Sequence, residues 1–111
     1  MTDKKKIGSF YTPAFIANFI IDYLSDKIKN KNISILEPSV GDGVFINAIK
    51  ANKSFTHKVN NITVVERETE ELEKVKNIRL NNPIDIINQD FLEFQKQNSK
   101  KYSLVIGNPP Y

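Results

Sequence analysis

The sequence predicts an α/β fold in which helices cover a mostly parallel sheet of about four strands. Four short β-type runs alternate with stretches of helical spacing, and each run is followed by turn or polar residues. Strands that alternate with helices imply right-handed crossovers and therefore parallel pairing. The 111 residues, 40% of them apolar, are expected to form one folded unit without a repeat or a second domain.

The first predicted element is a helix that begins near Pro13. Apolar pairs at 15–16, 19–20 and 23–24 repeat with the spacing of a helix that buries one face. Thr12 is the expected N-cap, and Pro13 suits the first helical position because its missing N–H costs nothing there. These three apolar pairs are therefore the expected buried stripe.

The remaining elements alternate between strand and helix. A glycine turn separates the first strand from the next helix, and the helix after the second strand carries its acids first and its bases last, as the helix dipole favours. The predicted order is strand 33–36, helix 44–51, strand 62–65, helix 69–80, strand 84–87, a short helix or loop at 91–98 and strand 103–106.

Composition excludes several classes of function. There is no run of 18 apolar residues and no signal-type segment, so we expect a soluble, intracellular protein without membrane contact. Without cysteine, and with His57 alone in a polar stretch, no metal site is expected and His57 is expected on the surface. The net charge of +3 is compatible with nucleic acid but does not require it.

The residues that could carry chemistry all follow strands. In a parallel sheet with helices on both faces, ligands bind outside the carboxyl ends of the strands. The four predicted strands lead into 37–43, Glu66, 90–91 and 108–111. We therefore expect these four segments to line one rim of the sheet.

The turn after the first strand favours a nucleoside over a phosphate ligand. Gly41 and Gly43 permit close backbone approach, but the third glycine of a dinucleotide fingerprint is missing. The carboxylates of Glu37 and Asp42 would repel a pyrophosphate. Glu66, at the end of the second strand, lies where a carboxylate would bond both ribose hydroxyls. An adenosine that carries a positive charge satisfies each feature.

Five segments of the chain are informative when they are taken together. They are 10–13 (FYTP), 35–45 (ILEPSVGDGVF), 65–66 (VE), 88–92 (NQDFL) and 108–111 (NPPY). They resemble the successive motifs of S-adenosylmethionine-dependent DNA adenine-N6 methyltransferases of restriction-modification systems, and their order resembles the class whose DNA-reading domain lies C-terminal. The resemblance implies a Rossmann-like methyltransferase fold with strand order 3-2-1-4.

The resemblance also implies a role for each matched position. Residues 10–12 would close over the methionine part of S-adenosylmethionine, while Glu37 and the glycine turn hold its amino-acid end. Glu66 would bind the ribose, Asp90 would accept a hydrogen bond from the adenine amine, and Phe91 would pack on the adenine ring. The implied cofactor-binding residues are Phe10, Tyr11, Thr12, Glu37, Pro38, Ser39, Gly41, Asp42, Gly43, Glu66, Asp90, Phe91 and Asn108.

The implied catalytic residues are Asn108, Pro109, Pro110 and Tyr111. An adenine amino nitrogen is a poor nucleophile because its lone pair is delocalised into the ring. The Asn108 side-chain oxygen and the Pro109 carbonyl would accept both amino hydrogens and localise that lone pair without a strong base. Tyr111 would stack on the adenine once it has flipped out of duplex DNA.

Residues 1–111 are expected to be the N-terminal, cofactor-binding part of a longer methyltransferase. No target-recognition domain is visible, and duplex DNA would be bound through a C-terminal part absent from these residues. The strand 103–106 would lie at an open sheet edge, which favours self-association or pairing with the absent part. We therefore expect little or no methylation by these residues alone.

Other interpretations stay open. Glutamine-N5 protein methyltransferases share Asn-Pro-Pro-Tyr, although FYTP directly before the first helix favours DNA. An RNA methyltransferase and a non-catalytic cofactor-binding or assembly module are further alternatives. At single positions, Glu66 could be a solvated strand end, Asp90 a helix cap and Asp42 a turn residue, while Phe45 is expected in the core.

Overall fold

The computed structural model describes residues 12–38 and 40–107. The elements are α1 (Ala14–Lys27), β1 (Ile33–Glu37), α2 (Val44–Ala51), α3 (Lys53–Thr56), β2 (Val59–Val65), α4 (Thr69–Lys76), β3 (Ile84–Ile87), α5 (Phe91–Gln97) and β4 (Leu104–Val105). The four strands form one sheet in the order β3-β2-β1-β4, and every pairing is parallel. The predicted fold class and strand order are confirmed.

The sheet is built around β1 and β2. These two strands pair from Ile33 to Glu37 of β1, whereas β4 pairs with β1 through only two residues, Leu104 opposite Ile35 and Val105 opposite Leu36. Central parallel strands are buried on both faces, which explains their continuous runs of β-branched residues. The carboxyl ends of β1 and β2 lie side by side, because Glu37 pairs with Val64.

One face of the sheet carries the main core. Side chains alternate along β1 and β2, so Ile35 and Ile62 point to the same face and meet the helices there. The helices cover this face with Ala17 and Ile21 of α1, Phe45, Ile46 and Ile49 of α2, Phe55 of α3, and Leu72 and Val75 of α4. Phe45 is therefore a core residue, as expected.

The opposite face is covered by α5. Leu36 and Val65 form a smaller cluster with Phe94 of α5, and Phe91 packs against the same cluster. Because the chain crosses from β3 at one edge to β4 at the other, this helix takes the face that α1, α2 and α4 leave free. Helices therefore lie on both sides of the sheet.

The predicted buried stripe of α1 is half correct. Ile20 and Leu24 pack against the core as expected, but Phe15, Phe19 and Tyr23 are 73%, 68% and 56% exposed. The buried arc is shifted around the helix and runs through Ala17, Ile20, Ile21, Leu24 and Ser25, which also repeat with helical spacing. Ala17 and Ile21 are fully buried, so this side of α1 faces the core and the aromatic side faces away from it.

Two helix boundaries also differ from the prediction. Pro13, rather than Thr12, is the N-cap of α1: its ψ of 145° is extended, and its carbonyl accepts from the amides of Ile16 and Ala17 at 3.0 and 3.1 Å. The second difference is the end of α4, which stops at Lys76 instead of residue 80. Ile78 and Leu80 continue the apolar spacing and pack against the core beyond the last turn, so periodicity does not mark where this helix ends.

The polar stretch after α2 contains structure that the sequence did not predict. Asn52 caps α3 by accepting from the Phe55 amide at 2.9 Å, and Phe55 is fully buried. One buried aromatic residue in a polar surrounding is a weak signal, because periodicity needs several turns. His57 lies exposed beside this helix, as expected. No helix within 12–38 or 40–107 is long and apolar enough to cross a membrane.

Candidate functional site

Three carboxylates meet at the carboxyl ends of β1 and β2. Glu37 is the last residue of β1, Glu66 follows β2 directly, and Asp42 lies in the turn between β1 and α2. They are close enough that Asp42 and Glu66 act electrostatically on Glu37. The structure thus brings together three of the predicted site residues at the predicted rim.

Glu37 is the least satisfied of these carboxyl groups. Its side chain is 2% exposed, and its Oε1 has no hydrogen-bond partner among residues 12–38 and 40–107. Burial, followed by the charges of Asp42 and Glu66, raises the pKa of Glu37 well above 4.5. Such a carboxyl suits a ligand that brings a cation or N–H donors to it, since these would relieve both its repulsion and its missing bond.

The glycine turn is held by its backbone. Gly41 and Gly43 have φ values of 55° and 81°, in the left-handed region that favours glycine. The Val40 amide donates to the Val65 carbonyl at 3.1 Å, which joins the turn to the end of β2. Asp42 Oδ1 accepts from the Val44 amide at 3.2 Å and so provides a hydrogen-bond partner for one backbone amide in the first turn of α2. The alternative of a structural turn role for Asp42 is therefore confirmed.

Glu66 joins two loops through its carboxylate. Oε1 accepts from the Gly41 amide and Oε2 accepts from the Glu68 amide, both at 2.9 Å, and the side chain is 7% exposed. The alternative of a solvated strand end is wrong. A buried carboxylate that accepts two backbone amides is instead well fixed in orientation.

Asn88 is a site residue whose role the sequence did not predict. Its Nδ2 donates to the carbonyls of Glu66 at 2.9 Å and Arg67 at 3.2 Å, and its Oδ1 accepts from the Thr69 hydroxyl at 3.4 Å. It lies directly after β3 and inside the matched segment 88–92, which was the available signal. Asn88 thereby fixes the loop that follows Glu66.

Asp90 and Phe91 begin α5 next to this loop. Asp90 Oδ2 accepts from the Leu92 amide at 3.1 Å, so its role as a helix cap is confirmed. Its other oxygen lies 3.9 Å from the Arg67 guanidinium. Phe91 is half-buried with its ring centroid 6.2 Å from that of Phe94. Both residues leave part of their surface at the rim.

Gly107 brings the end of β4 against Glu37. A Cβ atom at this glycine would lie 3.2 Å from Glu37 Oε2 and 3.2 Å from Pro38 Cδ, so a larger residue would press on the carboxyl. Thr12 is half-buried and makes no hydrogen bond to these rim residues in the described part of the chain. The predictions for Phe10, Tyr11, Ser39, Asn108, Pro109, Pro110 and Tyr111 fall outside the described residues.

The rim can bind a ligand that combines positive charge with hydroxyl and amine donors. Glu37 offers an unpaired oxygen, Glu66 retains lone pairs beside its two amide bonds, and Asp90 is half exposed. A phosphate would meet three carboxylates there. The donor set therefore fits a cationic adenosine, as the sequence predicted.

The chain is similar to known DNA methyltransferases. A model of the N-6 DNA methylase family matches residues 1–111. The type II methyltransferase M.HincII of Haemophilus influenzae is 34% identical over 113 residues, which cover 100% of this chain and 19% of that protein. M.BstVI of Geobacillus stearothermophilus is 30% identical, with coverage of 94% and 24%. The chain thus spans about a fifth of the length of these relatives.

Solved structures share the fold. A candidate RNA methyltransferase from Pyrococcus horikoshii superposes with a TM-score of 0.70 at 15% identity, covering 94% of this chain and 50% of that one. A candidate class I S-adenosylmethionine-dependent methyltransferase from Listeria monocytogenes gives 0.63 at 22% identity, with coverage of 96% and 35%. At these identities the likeness concerns the Rossmann-like architecture of the sheet and its helices.

Proposed function

Because the chain belongs to the N-6 DNA methylase family, we propose that it forms the cofactor-binding part of an enzyme that methylates adenine N6 in DNA. The methyl donor is S-adenosylmethionine. The observation that carries the proposal is the meeting of Glu37, Asp42 and Glu66 at the rim where this family places its cofactor motifs. Residues 1–111 match one family model throughout, which favours DNA over a protein glutamine substrate.

The rim residues would hold the two ends of the cofactor. Glu37, buried and with a free oxygen, would receive the amino-acid end together with Gly41 and Gly43. The remaining lone pairs of Glu66 would accept the ribose hydroxyls. Asp90 and Phe91 would receive the adenine. When bound, S-adenosylmethionine supplies an electrophilic methyl group on a positively charged sulfur, which the surrounding carboxylates favour.

The residues after β4 would hold the target base. Gly107 lies against Glu37, so the segment that follows it starts beside the proposed cofactor site. Asn108 and Pro109 would accept the two amino hydrogens of adenine and orient the nitrogen lone pair. Tyr111 would stack on the base, which offsets part of the cost of flipping it from the duplex, a few kcal/mol. A DNA substrate would place the protein in the bacterial cytoplasm.

Calorimetric titration of S-adenosylmethionine tests the cofactor assignment. We expect saturable binding to the folded chain and its loss in Glu66→Ala. Glu73→Ala is the matched control, because Glu73 is an exposed carboxylate on α4 far from the rim bonds, and this variant should bind normally. A folded chain without binding, or equal binding by the Glu66 variant, would contradict the proposal.

The substrate is tested by incorporation of labelled methyl groups. A full-length protein that contains this chain is expected to label adenine-containing duplex DNA and not RNA or peptides, with loss of label in Asn108→Ala. Isolated residues 1–111 are expected to give little or no label. Labelling of a glutamine peptide instead of DNA would reject the DNA assignment while retaining the cofactor.

A further inference from the structure

The side chains of Glu66 and Asn88 join three strand ends at the rim. Glu66 links the glycine turn after β1 to the loop after β2, and Asn88 links that same loop to the end of β3. We propose that Glu66 and Asn88 form a rim brace, which transmits binding in the adenosine half of the site to the glycine turn in the methionine half. The inference rests on the proposed function and assigns Asn88 a positioning role.

The Glu66 carboxylate holds two backbone amides. Each carboxylate oxygen already accepts one backbone N–H at 2.9 Å, from Gly41 and from Glu68. A carboxylate has about four acceptor sites, so ribose hydroxyls would add to these bonds rather than replace them. The group that contacts ribose would then be the same group that holds the Gly41 amide. Movement of the carboxylate therefore moves the turn.

The end of β3 supports the position of Glu66. The regular ladder between β2 and β3 ends where the Glu66 amide donates to the Ile87 carbonyl at 3.0 Å. Asn88 extends this pairing by donating to the carbonyls of Glu66 and Arg67 at 2.9 and 3.2 Å. Arg67 in turn lies 3.9 Å from Asp90. Asn88 thus connects the end of β3 to Glu66 through hydrogen bonds, and Asp90 is linked to the same loop by a long, solvent-exposed ion pair.

The chain provides a matched control for Asn88 at the opposite end of the sheet. Asn82 donates its side-chain amide to two carbonyls, those of Thr56 at 3.1 Å and Val59 at 2.8 Å. Asn82→Ala and Asn88→Ala each remove two amide–carbonyl bonds of similar length, and Asn88→Asp keeps the acceptor of the additional 3.4 Å bond from the Thr69 hydroxyl. Only Asn88→Ala removes bonds at the rim. The comparison therefore separates a general loss of stability from a loss of positioning of the Glu66 loop.

The experiment follows hydrogen exchange of the Gly41 amide by NMR as adenosine is added. Adenosine carries the ribose and adenine but lacks the methionine part, so it probes one half of the site. At saturating adenosine we expect the Gly41 amide to exchange about fivefold or more slowly in the wild-type chain and in Asn82→Ala. We expect less than a twofold change in Asn88→Ala. Asn88→Asp, which keeps the acceptor oxygen but loses the amide donor, should behave like Asn88→Ala.

Two outcomes overturn the brace and can be told apart. If adenosine binds and the Gly41 amide responds equally in wild type, Asn82→Ala and Asn88→Ala, or in none of them, the brace is rejected while the proposed function stands. If neither adenosine nor S-adenosylmethionine binds the folded wild-type chain, both the brace and the proposed function are rejected.

Discussion

Glu37 combines deep burial, a raised pKa and an oxygen that has no hydrogen-bond partner in the described part of the chain. Each of these properties lowers the stability of the folded chain. An unpaired buried polar group costs about 1–3 kcal/mol. Such a cost at the end of β1 is typical of a binding residue that has been kept for its ligand rather than for the fold.

The pH dependence of stability tests this interpretation of Glu37. Because its folded pKa is raised above 4.5, its contribution to stability is fully present below that pH and is lost as the pH rises toward the folded pKa. We expect Glu37→Gln to reduce this decline, so that the variant gains stability relative to wild type as the pH rises from 4.5 toward the folded pKa. Urea unfolding at several pH values measures this difference in the free energy of unfolding between Glu37→Gln and wild type. A constant difference across that range would contradict the assignment.

Removal of the polar group should separate stability from binding. Glu37→Leu replaces the unpaired carboxyl by an apolar side chain of similar volume and is expected to raise the free energy of unfolding by about 1–3 kcal/mol at pH 8. The same variant should lose affinity for S-adenosylmethionine. Thermal unfolding and calorimetric titration of one sample would check both. A variant that is less stable than wild type would show that the carboxyl contributes to the fold.

Gly43 is required by its backbone conformation and by its neighbours. Its φ is 81°, and an added Cβ would lie 2.7 Å from the Cδ1 atom of Ile78. We expect Gly43→Ala to lower the free energy of unfolding by at least about 1–2 kcal/mol, the cost of a left-handed residue with a side chain. Urea denaturation measures this, with Asn47→Ala on the exposed side of α2 expected to stay within about 0.5 kcal/mol.

At the scale of residues, the sequence predicted where the site residues lie better than which atoms they bond. Glu37, Asp42 and Glu66 were located by the rule that ligands bind at the carboxyl ends of parallel strands. The bond from Gly41 to Glu66 could not be predicted, because it depends on where a left-handed turn directs one amide. The role of Asn88 was missed for the same reason. Its partners are backbone carbonyls, which carry no signature in a sequence.

At the scale of elements, α1 shows what periodicity determines and what it does not. The repeat of about four residues was enough to predict the helix. Two faces of α1 show this spacing. One is an aromatic arc through Phe15 and Phe19, and the other is an arc through Ala17 and Ile21. Hydrophobicity favours the aromatic arc, but the arc through Ala17 and Ile21 is the one that packs into the core. The direction of the buried face was therefore undetermined until the neighbouring helix was known.

Alanine substitution in α1 distinguishes the two arcs. Ile21→Ala is expected to lower the free energy of unfolding by about 2–5 kcal/mol, since it empties a fully buried site. Phe19→Ala removes a ring that is 68% exposed and is expected to change the free energy of unfolding by about 0.5 kcal/mol or less. Equilibrium denaturation of both variants makes the comparison. The reverse ranking would mean that the aromatic arc is the buried one.

At the scale of the whole molecule, β4 is the weakest part of the sheet. It pairs with β1 through two residues, and Val105 is 58% exposed. Its other edge is free of partners among the described strands. Strand order and parallel pairing were predictable because alternation of strands and helices permits few topologies. The short length of β4 was not, because two ladder pairs give no pattern of their own.

Self-association through this edge stays a prediction. An unpaired strand edge with an exposed apolar side chain favours pairing with a second chain. We expect sedimentation velocity to show concentration-dependent association of the wild-type chain. Val105→Lys should weaken it, because a charged residue opposes edge pairing. Phe19→Lys serves as a control for the exposed aromatic arc of α1, and a larger effect of that variant would place the contact on the helix instead.

The position of β4 along the chain also determines when the rim is completed. Ser34 and Ser103, which join β1 to the start of β4, are 69 residues apart, whereas β1 with β2 and β2 with β3 pair over shorter separations, such as Ile33 with Val59 and Ile62 with Ile84. Closing the longest loop costs the most chain entropy before its contacts form. During refolding the Glu66 amide should therefore gain protection before the Ile106 amide. A nascent chain would then form the proposed cofactor site before it can present the Asn-Pro-Pro-Tyr segment, so the order of synthesis would also be the order of assembly.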